Sequence, residues 1–470
     1  MSLPAPVGSI TPAAREAVVA SLQPLLGDRL STDAAVRERH GKGASYHPCV
    51  PPDAVAFPRS TQEVSEIVQV CARHKVPLIP FGGGTSLEGH VAALHGGICI
   101  DVAQMNRIMQ VNRDDFDATM EAGVTLRQLN DHLRDSGLFF SIDPGAAEVT
   151  TLGGMAATRA SGTNTVRYGT MRENALALTV VLADGRIIRT ARRARKSSAG
   201  YDLTRLFVGS EGTLGVITEV TVRLHAIPPA MSSATGSFPS VAAAVVTAIR
   251  TIQAGVPVAR IELANAAVMD AIRHYSKLEV PAAPTLWLDF HGTEAGVAEQ
   301  ARTVEKIAAA QGGAGFCWTP DPEGRRKMWR ARYDTYFAIQ AQYPGTEVWV
   351  TDVCVPISRL AECITETEKD FAASFLPALI IGHVGDGNFH VGIPLHPANP
   401  QDIAEAKRLN ERLVLRALAL EGTCTGEHGI GYGKVDFLVA EHGDAVSVMR
   451  AIKQALDPNN LMNPGKILRI

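Results

Sequence analysis

Histidines facing each other across a tight turn are one way to hold a metal ion. The stretch Ala378-Leu-Ile-Ile-Gly-His-Val-Gly-Asp-Gly-Asn-Phe-His-Val-Gly-Ile393 has that pattern. Asp386-Gly387 between apolar flanks is a strong signal for a two-residue hairpin. Folding about it pairs Gly385 with Asn388, Val384 with Phe389 and His383 with His390. Opposed residues on one face bring their Cβ atoms ~4.5–5.5 Å apart, close enough for two imidazoles to chelate one divalent ion. A lone core histidine is usually only hydrogen-bonded, but two opposed across one hairpin favour a metal. Further on, Gly422-Thr-Cys-Thr-Gly-Glu-His-Gly-Ile-Gly-Tyr-Gly-Lys434 sets Glu427 beside His428 in a glycine-rich loop. Alone, that pair reads as an irregular surface loop. Two histidines plus a carboxylate, with positions left open, are a familiar catalytic set for zinc, manganese or iron.

Glycines carry a second chemistry. Gly82-Gly-Gly-Thr-Ser-Leu-Glu-Gly89 follows a short apolar run. Without Cβ atoms, successive N–H groups can converge on a phosphate. The loop matches neither G-x-x-x-x-G-K-S/T nor G-x-G-x-x-G, and a single glycine triplet is most often a plain turn. It is followed by Asp143-Pro-Gly145 leading into Thr150-Thr-Leu-Gly-Gly-Met-Ala156, by Ser161-Gly-Thr-Asn-Thr165 and Tyr168-Gly169, and by Gly209-Ser-Glu-Gly-Thr-Leu-Gly215. Three such loops within about 130 residues favour one extended ligand such as a dinucleotide. The arginines of Met328-Trp-Arg-Ala-Arg-Tyr333 offer a fork for a carboxylate. Arg325, Arg326 and Arg330 read as helix-surface residues.

The elements that must position these residues have the mixed order of an α/β or α+β chain. Helical spacing runs from Ala13 to Leu26. Ser60 and Glu63 form a capping-box pair ahead of a helix that ends near Lys75. Strands are expected at Pro77–Phe81 and Gly97–Val102, and β-branched runs at Ala175–Ile188 and Gly215–Leu224. Ile227-Pro-Pro229 marks a boundary near residue 227. Beyond it, helices at Val241–Ala254 and Gly296–Ala310 flank the strand Thr285–Phe290. The tail Asp457–Ile467 is turn-rich and is expected to pack back. With 46 % apolar and 20 % charged residues, the chain has material for a large core. Its 45 basic and 48 acidic residues give −3, which excludes a nucleic-acid footprint. The seven cysteines include no C-x-x-C, against a zinc ribbon, a disulfide scaffold or an iron–sulfur cluster, and they read as buried free thiols. Met1–Thr11 lacks a basic n-region, and no apolar run reaches the ~18–20 residues of a membrane span. The expected location is cytoplasmic, with the inner face of a membrane as the alternative.

Pro80-Phe-Gly-Gly-Gly-Thr-Ser-Leu-Glu-Gly89, Thr151-Leu-Gly-Gly154 through Tyr168-Gly169, and Val208-Gly-Ser-Glu-Gly-Thr-Leu-Gly-Val216 resemble the FAD-binding half of the vanillyl-alcohol-oxidase-type flavoproteins. From about residue 50 onward the chain is similar to the branch holding FAD-linked D-lactate, D-2-hydroxyglutarate and glycolate-oxidising enzymes. The resemblance implies an α+β fold: a two-part FAD-binding domain over 1–227, a cap of antiparallel sheet plus helices over 228–415, and a segment over 416–470 that packs back and completes the active site. FAD would lie against Pro80, Gly82, Gly83, Gly84, Thr85, Ser86 and Gly89 of the first loop. The second loop would add Asp143, Pro144, Thr150, Gly153, Gly154, Ala157, Ser161, Gly162, Tyr168 and Gly169. Glu211, Gly212, Gly215, Ile217 and Asn463 complete the set. In some relatives a histidine inside the first loop carries the flavin covalently. Those positions are Gly and Ser here, so FAD is expected to be non-covalent and His90, beyond the loop, structural.

The same resemblance implies His383, His390 and Glu427 as ligands of a divalent metal (zinc or manganese), His428 as catalytic base, and Arg332 and Asn388 as substrate-binding residues. D-2-hydroxyglutarate enzymes carry a lysine for the distal carboxylate where this chain has Val350, and Thr351-Asp-Val-Cys-Val-Pro356 is similar to D-lactate enzymes. The implied activity is oxidation of a D-2-hydroxy acid, D-lactate foremost, to the 2-oxo acid. Electrons would pass to a cytochrome, quinone or electron-transfer flavoprotein, with no nucleic-acid partner and a homodimer as an open option. The other readings are D-2-hydroxyglutarate dehydrogenase, glycolate oxidase subunit, an O2-using oxidase, a zinc hydrolase built from the same ligands, and a non-catalytic flavin- or metal-binding subunit.

Overall fold

A computed structural model describes residues 11–277 and 280–470 of the chain; the reading of Met1–Ile10 as lacking a leader lies outside the described residues. Packing divides the chain into two units. The first joins Met1–Ser161, Gly169–Ile227 and Glu427–Ile470, and the second joins Gly162–Tyr168 and Pro228–Gly426. The boundary expected at 415/416 falls inside the helix Pro400–Ala419, and the chain leaves the second unit at Gly426 instead. A loop can change course there and a regular helix cannot.

In the first unit the helix Thr61–His74 begins where Ser60 accepts the N–H of Glu63, and ends at Lys75 with φ 54°. Only half of the expected capping box forms. The Glu63 carboxylate takes the Arg59 N–H at 2.8 Å and pairs with Arg29. Val64, Ile67, Val68 and Cys71 line one face of this helix and are fully buried, in one apolar cluster with Ile98 and Ile100. Those isoleucines belong to a four-stranded sheet ordered Leu30–Ser31, Ala54–Ala56, Ile98–Asp101, Leu78–Phe81, with the last three strands parallel. A second, five-stranded antiparallel sheet runs Ile108–Asn112, Asp117–Glu121, Val216–Arg223, Ala175–Val181, Ile187–Arg189. The tail packs back within this unit: Leu78 donates to the Leu461 carbonyl and Asn463 donates to that of Leu78, both at 2.8 Å.

The second unit is an antiparallel sheet ordered Ala314–Thr319, Ala230–Ser237, Thr285–Gly292, Val258–Ala264, Leu379–Gly382, Asn388–Leu395, Glu347–Val350, with Val353–Cys354 also paired to Asn388–Leu395. Helices Val241–Gln253 and Glu294–Ala310 start at Ser240 and Thr293, whose side chains cap them. Ala264, Val268, Ile272, Trp287, Trp329 and Leu379 form the core beneath the helices Ala266–Ser276 and Pro322–Tyr333. Fold class and layer content therefore agree with the expectation: α+β, with an antiparallel sheet and helices beyond residue 227. The thiols agree only in part, because Cys49 and Cys317 are exposed. Among the described residues no helix is long and apolar enough to cross a membrane.

Lys453, 4 % exposed, pins the tail to the last helix. Its ammonium donates to the carbonyls of Thr213 at 2.8 Å and Met462 at 2.9 Å and pairs with Asp457, itself 2 % exposed. Removing one partner of a buried pair strands the other charge, which costs about 3–5 kcal/mol. Lys453→Met is therefore expected to lower the unfolding free energy by that amount in a denaturant titration. A loss below about 1 kcal/mol, the range of an exposed pair, would contradict this account of the pair.

Candidate functional site

In the first unit the three glycine loops meet around a cavity of about 310 Å³. Its wall is built from Pro80, Gly82, Gly83, Gly84, Thr85 and Ser86; from Pro144, Thr150, Gly154, Ala157 and Ser161; and from Glu211, Gly212, Glu427, His428 and Asn463. The glycines have two different reasons to be there. A Cβ on Gly82 would sit 2.4 Å from Thr151 Oγ1, and one on Gly83 2.1 Å from the Val149 carbonyl, so these two are demanded by one loop packing on another. A Cβ on Gly154 would meet only Thr151 Oγ1 at 3.0 Å, and one on Gly145 would meet nothing within 4 Å, although both residues line the cavity. Bare backbone facing space is what a bound dinucleotide requires.

Other expected cofactor residues shape the loops from outside this wall. Gly89, at φ 75°, lets Tyr432 approach; Gly153 packs on Ala122 and Gly215 on Val180 and Val181. Ile217 belongs to the buried apolar cluster of the five-stranded sheet. Asp143 and Gly169 are likewise not among the wall residues. Gly162 and Tyr168 belong to the second unit, where the Tyr168 hydroxyl meets His291 Nδ1 at 2.7 Å. Burial, with Arg260, Arg167 and Arg325 near it, pushes His291 down to about 3, so that imidazole is neutral.

Glu211 lines the cavity, but its carboxylate serves the loop that holds Glu427 and His428. Its oxygens accept the N–H groups of Ile430 at 2.7 Å and Gly431 at 2.8 Å. Asn463 donates to the carbonyls of Glu211 at 2.8 Å and His90 at 3.2 Å. Burial pushes the Lys466 ammonium down to about 7, against the opposing pull of Glu211; it donates to the Ala92 carbonyl at 2.7 Å. Ser161 donates to Glu427 Oε2 at 2.5 Å. Burial raises the Glu88 carboxyl, but Lys434, His47 and His428 outweigh that and hold it below the usual range. His90, expected to be structural, lines the cavity 5 % exposed, with Nε2 3.3 Å from Glu211 Oε2.

In the second unit the expected two-residue hairpin does not form. Ile381, not His383, stands opposite His390, and residues 383–387 make a longer turn. A type I′ turn needs positive φ at both central residues, and only Gly387, at 91°, has it. The longer turn also suits the packing: a Cβ on Gly385 would be 2.3 Å from Ile261 Cγ2, and one on Gly387 2.1 Å from the Val355 carbonyl. The two histidines still converge, although His383 lies just beyond the paired ladder. Their ring centroids are 5.5 Å apart with the planes at 83°, and a ligating nitrogen of each lies within 4.8 Å of the other.

Both rings are held through the same nitrogen. His383 Nδ1 meets Glu262 Oε1 at 2.6 Å and His390 Nδ1 meets the Thr351 carbonyl at 3.0 Å. A carbonyl can only accept, so His390 carries its proton on Nδ1 and its lone pair on Nε2; the carboxylate imposes the same tautomer on His383. This is the arrangement by which proteins orient metal-ligating imidazoles, so the pair fits a divalent ion. Glu262 is fully buried. Burial raises its carboxyl, but His383 and Arg332 more than offset that and keep it below the ordinary carboxylate range. Arg332 Nη2 donates to Glu262 Oε2 at 2.8 Å, and Arg332 Nε is buried without a hydrogen-bond partner.

Sequence reasoning missed Glu262 and Asp352. In Val258-Ala-Arg-Ile-Glu-Leu-Ala264, Arg260 and Glu262 are charges two apart on a strand, hence on one face, and that alternation was the available signal. Asp352 accepts Asn388 Nδ2 and Thr425 Oγ1, each at 2.7 Å, and lies 3.6 Å from His390 Nδ1. Asn388 also donates to the Val353 carbonyl at 2.8 Å. The Asn388 amide hydrogens are thus spent inside the protein, while its Oδ1 is buried without a hydrogen bond. Arg326 and Arg330 are exposed as expected, whereas Arg325 is half-buried and reaches Met231 Sδ at 3.4 Å.

Residues 52–191 match the FAD binding domain family, and residues 227–467 match the family described as FAD linked oxidases, C-terminal domain. The chain is 50 % identical over 463 residues to "Probable D-lactate dehydrogenase, mitochondrial" of Danio rerio, covering 97 % of this chain and 93 % of the relative. It is 46 % identical to "D-lactate dehydrogenase [cytochrome], mitochondrial" of Arabidopsis thaliana, covering 96 % of this chain and 80 % of the relative. Among solved structures it shares its fold with p-cresol methylhydroxylase, at TM-score 0.84 and 18 % identity, covering 98 % of each chain. The mitochondrial names of both relatives overturn the expectation of a cytoplasmic location. With FAD as the ligand of the glycine cavity, Gly83→Ala is expected to be recovered with little or no flavin, read as the ratio of visible to 280 nm absorbance. A wild-type ratio would show that the first two loops need not touch. The chain belongs to the FAD-linked oxidases and is an FAD-dependent oxidoreductase.

Proposed function

We propose that the protein oxidises a D-2-hydroxy acid, D-lactate first, to the 2-oxo acid, holding FAD without a covalent bond and handing electrons to an external carrier. The observation that carries the reading lies in the second unit. Two imidazoles with their lone pairs on Nε2 stand together, and a guanidinium with a buried, unsatisfied Nε is tied to one of them through Glu262. A divalent ion and a carboxylate are the chemical complements of those two features. The names of the two relatives support D-lactate as substrate, and the Arabidopsis name supports a cytochrome as acceptor.

In this reading Arg332 holds the substrate carboxylate through its donors. His383 and His390 hold the metal, with Glu427 as the third ligand that the family resemblance implies. Asn388, which fixes Asp352 through its amide hydrogens, is the second substrate-binding residue, with its Oδ1 unbonded. His428, in the wall of the glycine cavity, takes the hydroxyl proton on a ring nitrogen. When bound, FAD supplies the acceptor for the C2 hydride and the divalent ion supplies Lewis acidity towards the hydroxyl. Val350 ends the strand Glu347–Val350 opposite Gly392 and offers no cation for a second carboxylate, which favours lactate over 2-hydroxyglutarate.

Anaerobic mixing with a panel of 2-hydroxy acids, followed at the visible flavin bands, tests the reading. D-lactate is expected to bleach the flavin, with L-lactate inert and D-2-hydroxyglutarate slower. Bleaching by L-lactate alone, or by none of the panel, contradicts it. General-base assistance contributes about 10²–10⁴ in rate, so His428→Ala should slow the bleaching by that factor while retaining FAD. A rate near wild type would remove His428 from the mechanism.

A further inference from the structure

We infer that Glu262 is a positioning residue that sets the metal ligand His383 and the carboxylate clamp Arg332 at once. The inference rests on the proposed roles of those two residues and adds a third, to which the sequence motifs gave no part. Glu262 lies in the middle of the strand Val258–Ala264 and is fully buried. Its two oxygens are divided between the two sites: Oε1 meets His383 Nδ1 at 2.6 Å, and Oε2 accepts Arg332 Nη2 at 2.8 Å.

Each contact has a consequence for function. The carboxylate accepts the Nδ1 proton of His383, which directs the Nε2 lone pair outward and makes the ring a better donor to a metal. His383 follows the strand Leu379–Gly382 at the start of a turn, outside the paired ladder, so its backbone alone does not fix the ring. On the other side, Arg332 stands in the last turn of the helix Pro322–Tyr333 on a long side chain, and its contact with Glu262 fixes one donor while Nε keeps an unmet one. A rigid guanidinium with a donor to spare is what bidentate recognition of a carboxylate requires. A neutral residue could fill the same volume. Only a group with two acceptor oxygens and a charge can orient an imidazole and a guanidinium together.

Glu262→Gln keeps the shape and removes the charge. Zinc affinity of the FAD-loaded protein, measured by chelator competition, is expected to weaken 10- to 100-fold, the usual effect of losing an outer carboxylate. KM for D-lactate is expected to rise at least about tenfold with FAD content unchanged. Glu262→Asp keeps the charge but is one methylene too short for both partners, and it should retain FAD while losing at least one of the two affinities. It serves as the test if the Gln variant does not fold. Loss of only one affinity in Glu262→Gln, or wild-type zinc affinity and KM in both variants, overturns the joint role. His383→Ala separates the layers. If it loses zinc while both Glu262 variants keep it, only this inference fails; if it keeps zinc at wild-type affinity, the metal reading fails and this inference with it.

Discussion

Two imidazoles can serve one metal ion only when each presents a lone pair, and that depends on where each ring keeps its proton. In this protein each Nδ1 meets an acceptor: the Glu262 carboxylate for His383 and the Thr351 carbonyl for His390. The rest of the second unit can be understood as the frame that holds those acceptors still. Thr351 also takes the Val391 N–H on its hydroxyl at 2.9 Å, locking the strand that carries His390. Asp352 is held by Asn388 and Thr425. Most polar groups in this buried cluster are tied to another, and the unmet ones are Arg332 Nε and Asn388 Oδ1.

The first unit applies the same economy to backbone. Glycine loops are flexible when isolated, and here they are not isolated. Gly82 and Gly83 are pressed against Thr151 and Val149, and the Glu427-His428 loop is hung from the carboxylate of Glu211 by the N–H groups of Ile430 and Gly431. Glu211 adopts φ 52°, a strained backbone for a residue with a side chain, and Asn463 bonds the Glu211 carbonyl from the returning tail. A cavity wall made of loops thus acquires the stiffness of secondary structure.

Much of this was legible from residue spacing. The capping serine, the apolar face of Thr61–His74, the turn-rich tail and the three glycine loops are local patterns, and local patterns survive in a one-dimensional reading. The Asp386-Gly387 turn was misjudged because a dipeptide preference was outweighed by Gly385 and Gly387 fitting under Ile261 and Val355, contacts that no window of sequence contains. The two imidazoles nevertheless stand 5.5 Å apart, centroid to centroid. Glu262 was invisible for a different reason. It stands 121 residues from His383 and 70 from Arg332, and only the packing of strand, turn and helix brings the three together.

The central claim is that these two histidines bind a divalent ion through Nε2. X-ray absorption at the zinc edge of the zinc-loaded protein measures that directly. The account predicts two imidazole nitrogens at about 2.0–2.1 Å, with the outer-ring scattering that marks histidine, and oxygen in the remaining positions. A spectrum fitted by oxygen ligands alone, without imidazole scattering, would contradict it.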